Sequence, residues 1–274
     1  MLAGASSIAL GLVFVAFVFV GLSIYFALGW QISARRNGVD VDSTVEPRKT
    51  FGIPEASLAA GLVLWFLLIS VTASLRRSPI QLSDRDLVLN FLLTLIIIFS
   101  VAAFLKLRGI DIDSLGGFSR TSLKRTLSTA VVLLLAATPL ILLAEALTQN
   151  AFGSGSSRQE IVDLFNSSRT IGQRVGIIVL AVVVAPISEE FIFRFFLYGV
   201  VRRYFGIAIG LVFNSLLFAA AHTHLPSAAP LFVLGGCFTL AYEWSGSILV
   251  SMAMHSLFNS VQLIFLAFPE LFQQ

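Results

Sequence analysis

Long apolar runs separated by short charged interruptions dominate the chain. Measured between charged residues or histidines, they cover 1–34, 56–75, 87–105, 126–144, 204–221, 225–242 and 244–254, the last continuing past His255 to Pro269. Another run, 175–201, is interrupted by Glu189, Glu190 and Arg194. A helix that crosses the hydrocarbon layer needs about 20 mostly apolar residues, because every backbone group must find its partner within the segment. The pattern therefore predicts an all-α fold, a polytopic transmembrane helical bundle of about eight transmembrane helices. Between the fourth and fifth runs, 148–171 holds Gly153-Ser154-Gly155-Ser156-Ser157 and a short amphipathic stretch over 160–165. It reads as a flexible extramembrane loop. That loop separates N-terminal transmembrane helices (1–147) from a second transmembrane block (172–274), which contains all three histidines and the adjacent glutamates. Any chemistry is expected in the second block.

Composition sharpens this reading. Of 274 residues, 57% are hydrophobic and 12% charged, far too apolar for a soluble domain of this size. Lipid must be the solvent for much of the surface. The net charge of +3 and the absence of a basic, aromatic-interleaved strip argue against nucleic acid as a partner. Cys237 is the single cysteine, which excludes an internal disulfide or a thiolate metal cage. No charge precedes Arg35, so the first segment reads as a retained span rather than a cleaved signal peptide. Lys and Arg in alternate loops number eleven against six. The positive-inside tendency then puts the first loop in the cytoplasm and both termini outside, in a multi-pass protein of the cell membrane. No internal repeat of the kind found in secondary transporters is evident.

Ionisable residues inside membrane spans are functional candidates, since a charge at the bilayer centre costs at least about 2.5–3.5 kcal/mol. Three clusters stand out. Pro186 precedes Ser188-Glu189-Glu190, and this order predicts a helix start, with a hydroxyl cap and acids in the first turn. Glu190 and Arg194, four apart, share a face and can pair, while Glu189 points about 100° away and is free to face a cavity. Read blandly, the pair is neutralised packing and Glu189 reaches the interface. Asn214, Phe218 and His222 line one face of the following span, which also suits an ordinary helix–helix contact. His224 is expected at the interface. His255 and Asn259 share a face deep in the last run, as interhelical hydrogen-bonding groups or as fixed donors for an oxyanion.

In order and spacing, Glu189-Glu190-(three residues)-Arg194, Phe218-(three residues)-His222 and His255-(three residues)-Asn259 resemble the motif set of the CPBP family. This family comprises the type II CAAX prenyl proteases and their bacterial, Abi-like relatives. The resemblance covers about 186–259. It implies an intramembrane glutamic endopeptidase acting on a membrane-associated or prenylated protein substrate, with no cofactor. Carried over by position, it implies that Glu189 and His222 activate water. Glu190 and Arg194 would hold that helix and its charges, and His255 and Asn259 would bind the oxyanion. Many relatives have Gly directly after the arginine, where this chain has Phe195.

Other readings compete with this one. One carboxylate and two histidines could hold a catalytic zinc ion, although no two-histidine zincin helix is present. Cys237 follows Gly235-Gly236 in an apolar run, where a thiol is usually an inert small hydrophobe rather than a nucleophile. A non-catalytic scaffold or regulator of the same fold, or a proton-coupled carrier, would also place Glu and His in the membrane.

Overall fold

The computed structural model describes residues 2–37, 50–75, 84–152, 168, 170–222 and 225–267. The expected amphipathic stretch over 160–165 and His224 lie outside the described residues. Among the described residues the regular elements are all helical. We label them α1 (Leu2–Asn37), α2 (Ile53–Leu75), α3 (Asp84–Leu107), the short α4 (Ile112–Gly116) and α5 (Leu123–Phe152). Then come α6 (171–205), α7 (207–221), α8 (Ala228–Ser245) and α9 (Ile248–Ala267).

Six described helical stretches are long and apolar enough to cross a membrane, counting Ile171–Ala221 as one. At 1.5 Å per residue, that stretch would run about 75 Å if straight, more than twice the hydrocarbon thickness. It does not run straight. Gly206 has φ 83° and ψ 175°, a conformation essentially restricted to glycine, and the chain reverses there. A Cβ built on Gly210 would lie 3.0 Å from the ring of Tyr198, so α7 folds back along α6. With α8 this gives the expected bundle of about eight long helices. The turn falls beyond Arg202 and Arg203 rather than at them. Gly206→Ala should cost about 1–3 kcal/mol through strain at this turn, read as a lowered thermal midpoint in detergent. A midpoint equal to wild type would refute the assignment.

Pro186 does not start a new helix, contrary to the sequence expectation. The helix runs through it, with π-helical turns over Leu180–Val184 and Glu190–Tyr198. Proline removes one backbone donor, and wider π turns are a known way for a helix to absorb such a defect. Ser188 is not a cap either: its Oγ donates back to Val184 O at 2.7 Å and Ala185 O at 2.9 Å, as a mid-helix serine does. The true start of α6 is Thr170, whose Oγ1 accepts from Gln173 N while Gln173 Oε1 accepts from Thr170 N, each at 3.2 Å. This reciprocal pair is a capping box.

The layers differ in burial. In the spans of α1, α2 and α3 only 11% of the apolar window is buried, against 39–44% in the α5, α6–α7 and α9 spans. The inner group is therefore α5 to α9, and the outer three helices turn most of their surface to lipid. Tyr25 Oη on α1 donates to Leu133 O of α5 at 2.9 Å, and Phe51 packs edge-on against Phe195 and Phe196. The described ends of the loops counted as the basic set meet at one end of the bundle. There Arg35 Nη1 donates to Trp244 O, Tyr242 Oη donates to Leu115 O, and Gly117 abuts Gly246. At that end Glu55, 1% exposed, takes Arg108 Nε at 3.0 Å and the Gly52 amide at 2.6 Å.

Candidate active site

Along the sequence Glu189 and His222 are 33 residues apart, a separation of about 50 Å on a straight helix. The reversal at Gly206 brings His222 Nε2 to 3.9 Å from Glu189 Oε2. From α9, His255 Nε2 reaches the same oxygen, also at 3.9 Å. The two glutamates have different lives. Glu190 is wholly buried and paired, whereas the Glu189 side chain is 29% exposed. Glu189 Oε2 itself is shielded and has no hydrogen-bond partner among the described residues. Unmatched buried polar atoms are uncommon, and Glu190 Oε2, Arg194 Nε and Asn214 Oδ1 are in the same state.

Glu190 Oε1 accepts from Arg194 Nη1 at 2.9 Å, and neither side chain is exposed. Because that oxygen already accepts from a guanidinium, His255 Nδ1, 3.0 Å away, is the donor in its own contact with Glu190. The ring of His255 is thereby fixed, with Nε2 turned to Glu189. His222 is fixed by the same logic: its Nδ1 lies 2.8 Å from Phe218 O, which can only accept. Neutral His222 must then carry its proton on Nδ1 and present the Nε2 lone pair towards Glu189. Ser70 Oγ on α2 donates to Ala220 O at 2.8 Å and ties down the last turn before His222.

Aromatic rings wall this polar centre. Phe218 lies 4.0 Å under the Arg194 guanidinium and meets His222 edge-on at 4.6 Å. Phe238 stacks on His255 at 5.0 Å. A charge so enclosed needs partners, and Arg194 Nη2 adds Gly235 O at 3.4 Å. Thr239 Oγ1 donates to the same carbonyl at 2.8 Å, and Asn214 Nδ2 donates to Thr239 Oγ1 at 3.1 Å. Gly235 leaves little space beside these groups: a Cβ there would lie 3.2 Å from Phe218 and 3.4 Å from Arg194 Nη2. Asn214, placed by sequence on the His222 face, thus serves a buried network behind the site. Thr239 and the Gly235 carbonyl went unseen in the sequence. A threonine in an apolar run is unremarkable, and a backbone acceptor has no residue signature.

Asn259 shares the face of His255 and donates from Nδ2 to Ala181 O at 2.7 Å. That acceptor lies in the π-helical stretch of α6, and the second N–H of Nδ2 is not used by this bond. Cys237, on α8, is buried in the core and meets Tyr25 of α1. Among the described residues, no group of three or more His, Cys, Asp or Glu is arranged to hold a metal ion.

The arrangement can orient a small polar molecule between one carboxylate oxygen and two imidazole nitrogens. It keeps a second carboxylate neutralised behind them. Comparison with known proteins finds similarity over the same part of the chain. Residues 171–261 match the family model described as Type II CAAX prenyl endopeptidase Rce1-like. The membrane-embedded CAAX protease MroQ of Staphylococcus aureus (strain USA300) is 30% identical over 102 residues, 35% of this chain and 41% of that protein. The match thus spans less than half of that relative's length. No solved structure gives a significant match. The segment 171–261, which supplies Glu189, Glu190, Arg194, His222, His255 and Asn259, is the part of the chain that is similar to the type II CAAX prenyl endopeptidase Rce1-like family.

Proposed function

We propose that the protein is an intramembrane endopeptidase of the cell membrane that hydrolyses a peptide bond in a membrane-associated or prenylated protein, with Glu189 as general base. The observation that carries this reading is the position of Glu189 Oε2, 3.9 Å from the Nε2 atoms of both His222 and His255. A water seated there donates one hydrogen to Glu189 and the other to the lone pair of His222, which leaves its own lone pair directed at a substrate carbonyl. As the C–O bond forms, Glu189 takes the water proton and the carbonyl oxygen becomes an oxyanion. That oxygen is held by the free N–H of Asn259, with His255, on the same helix face, as the second partner of the hole. Collapse breaks the C–N bond, and the departing amine takes the proton back from Glu189. Glu190 and Arg194 fix His255 and do not touch substrate.

No cofactor is needed for this sequence of steps. The apolar exterior of α2 and α3, with α3 the outer neighbour of 185–189, suits a substrate delivered by lipid. The greater number of Lys and Arg in the first, third and fifth loops, whose described ends lie at the Gly246 end, supports a cytoplasmic placing of that end.

Purified protein in lipid vesicles, given a quenched fluorescent C-terminal peptide with and without a farnesyl group, tests this function. Cleavage of the farnesylated peptide that persists in a strong chelator is expected. Loss on chelation would indicate a metal enzyme. Absence of cleavage of either peptide by folded protein would favour a scaffold of the same fold.

A further inference from the structure

A second polar cluster lies at the Gly246 end, where α1, the α6–α7 turn and the end of α8 meet. Tyr198 Oη donates to Glu243 Oε2 at 2.8 Å, and Arg202 Nη1 lies 2.8 Å from the same oxygen. Arg35 Nη1 donates to Trp244 O at 3.0 Å, and Trp244 Nε1 donates to Gln31 Oε1 at 2.8 Å. Between them is a cleft of about 270 Å³ lined by Ile32, Arg35, Arg202, Ile207 and Glu243.

The charges in this cleft do not cancel. Glu243, only 7% exposed, is committed to Arg202 and Tyr198. Arg35 has no carboxylate partner among the described residues and spends one donor on a backbone carbonyl. Arg202, 47% exposed, also keeps donors beyond the one turned to Glu243. Two forked guanidiniums with one carboxylate between them leave a net positive site suited to phosphate oxygens. Its height is set by the fold, because Arg35 ends the apolar span Leu10–Arg35. Headgroups sit at that level, and tryptophan is enriched there. Ile32 and Ile207 give the cleft an apolar floor, and Phe26 and Trp30 of α1, Phe205 of α6 and Ile209 of α7 are exposed beside it.

We propose that this cleft binds the phosphodiester headgroup of an anionic phospholipid, with the acyl chains lying against α1 and α7. A soluble phosphate would use the same guanidiniums but gain nothing from the apolar floor. The site is independent of the peptidase reading, since Arg202 is 13 residues from Glu189 along α6.

The test is native mass spectrometry of delipidated full-length protein offered equal amounts of phosphatidylglycerol and phosphatidylcholine. Arg35→Gln is the variant of choice, because it leaves the Arg202–Glu243 pair intact. Wild type should retain phosphatidylglycerol about fivefold over phosphatidylcholine, the effect of roughly one interfacial basic side chain. Arg35→Gln should lose that preference, and inorganic phosphate at the lipid's concentration should not displace it. Equal retention of the two lipids, or an unchanged preference in Arg35→Gln, overturns the proposal. Displacement by inorganic phosphate overturns the lipid assignment in favour of a soluble-anion site.

Discussion

Arg194→Ala will destabilise the protein by about 3–5 kcal/mol, because it strands Glu190 as a charge with no solvent and no counter-ion. Both side chains are fully buried, and their 2.9 Å contact is the core of the inner bundle's polar network. The loss extends to Gly235 O and to the face of Phe218, which the guanidinium contacts together. Lysine should not rescue, since a single ammonium cannot span both acceptors with the geometry of a fork. Arg194→Met combined with Glu190→Gln should recover part of the stability, because no charge is then left buried. Thermal unfolding in detergent reads all of these. A single Arg194→Ala variant as stable as wild type would show that the pair contributes nothing to the fold.

Glu189→Ala will lower peptidase turnover by about 10²–10⁴, the range expected when a general base is removed, while leaving the thermal midpoint nearly unchanged. The two parts of this expectation have separate grounds. Loss of activity follows from the 3.9 Å approaches to His222 and His255. Retained stability follows from the lack of a hydrogen bond to Glu189 Oε2 among the described residues. His222→Ala should produce a comparable loss, and the double variant should be little worse than either single one, as for groups that act as a unit. Additive losses would mean that the two residues act in different steps.

How far these features were legible depended on how local they were. The eight apolar runs needed only length and hydropathy, and the spans followed them closely. Glu190 and Arg194 were readable as a pair because four residues is a helix-face spacing, and a 2.9 Å ion pair is found. Glu189 and His222 were different. Nothing in their spacing brings residues 33 apart together, so the association rested on a family resemblance until the reversal at Gly206 supplied the physical link. The helix start at Ser188 was misread because proline, serine and acids in that order usually mark a start. Here π-helical turns on either side let the helix pass through.

Two buried acids were overlooked for a common reason. Spans bounded by charged residues place Glu55 and Glu243 at their edges, where they look like interfacial flanks. Each is buried because a basic residue from elsewhere in the chain reaches it, Arg108 for Glu55 and Arg202 for Glu243. Such pairings are tertiary, and single-sequence periodicity does not contain them.

The central claim is that the protein hydrolyses peptides with water activated at Glu189. The most direct test is the initial rate of farnesylated-peptide cleavage by wild type and by Glu189→Gln, both reconstituted in the same vesicles with a strong chelator present. Steady turnover by wild type and a rate at background for the variant are expected, with both proteins equally folded. Equal rates, or a wild-type rate that vanishes with the chelator, would contradict it.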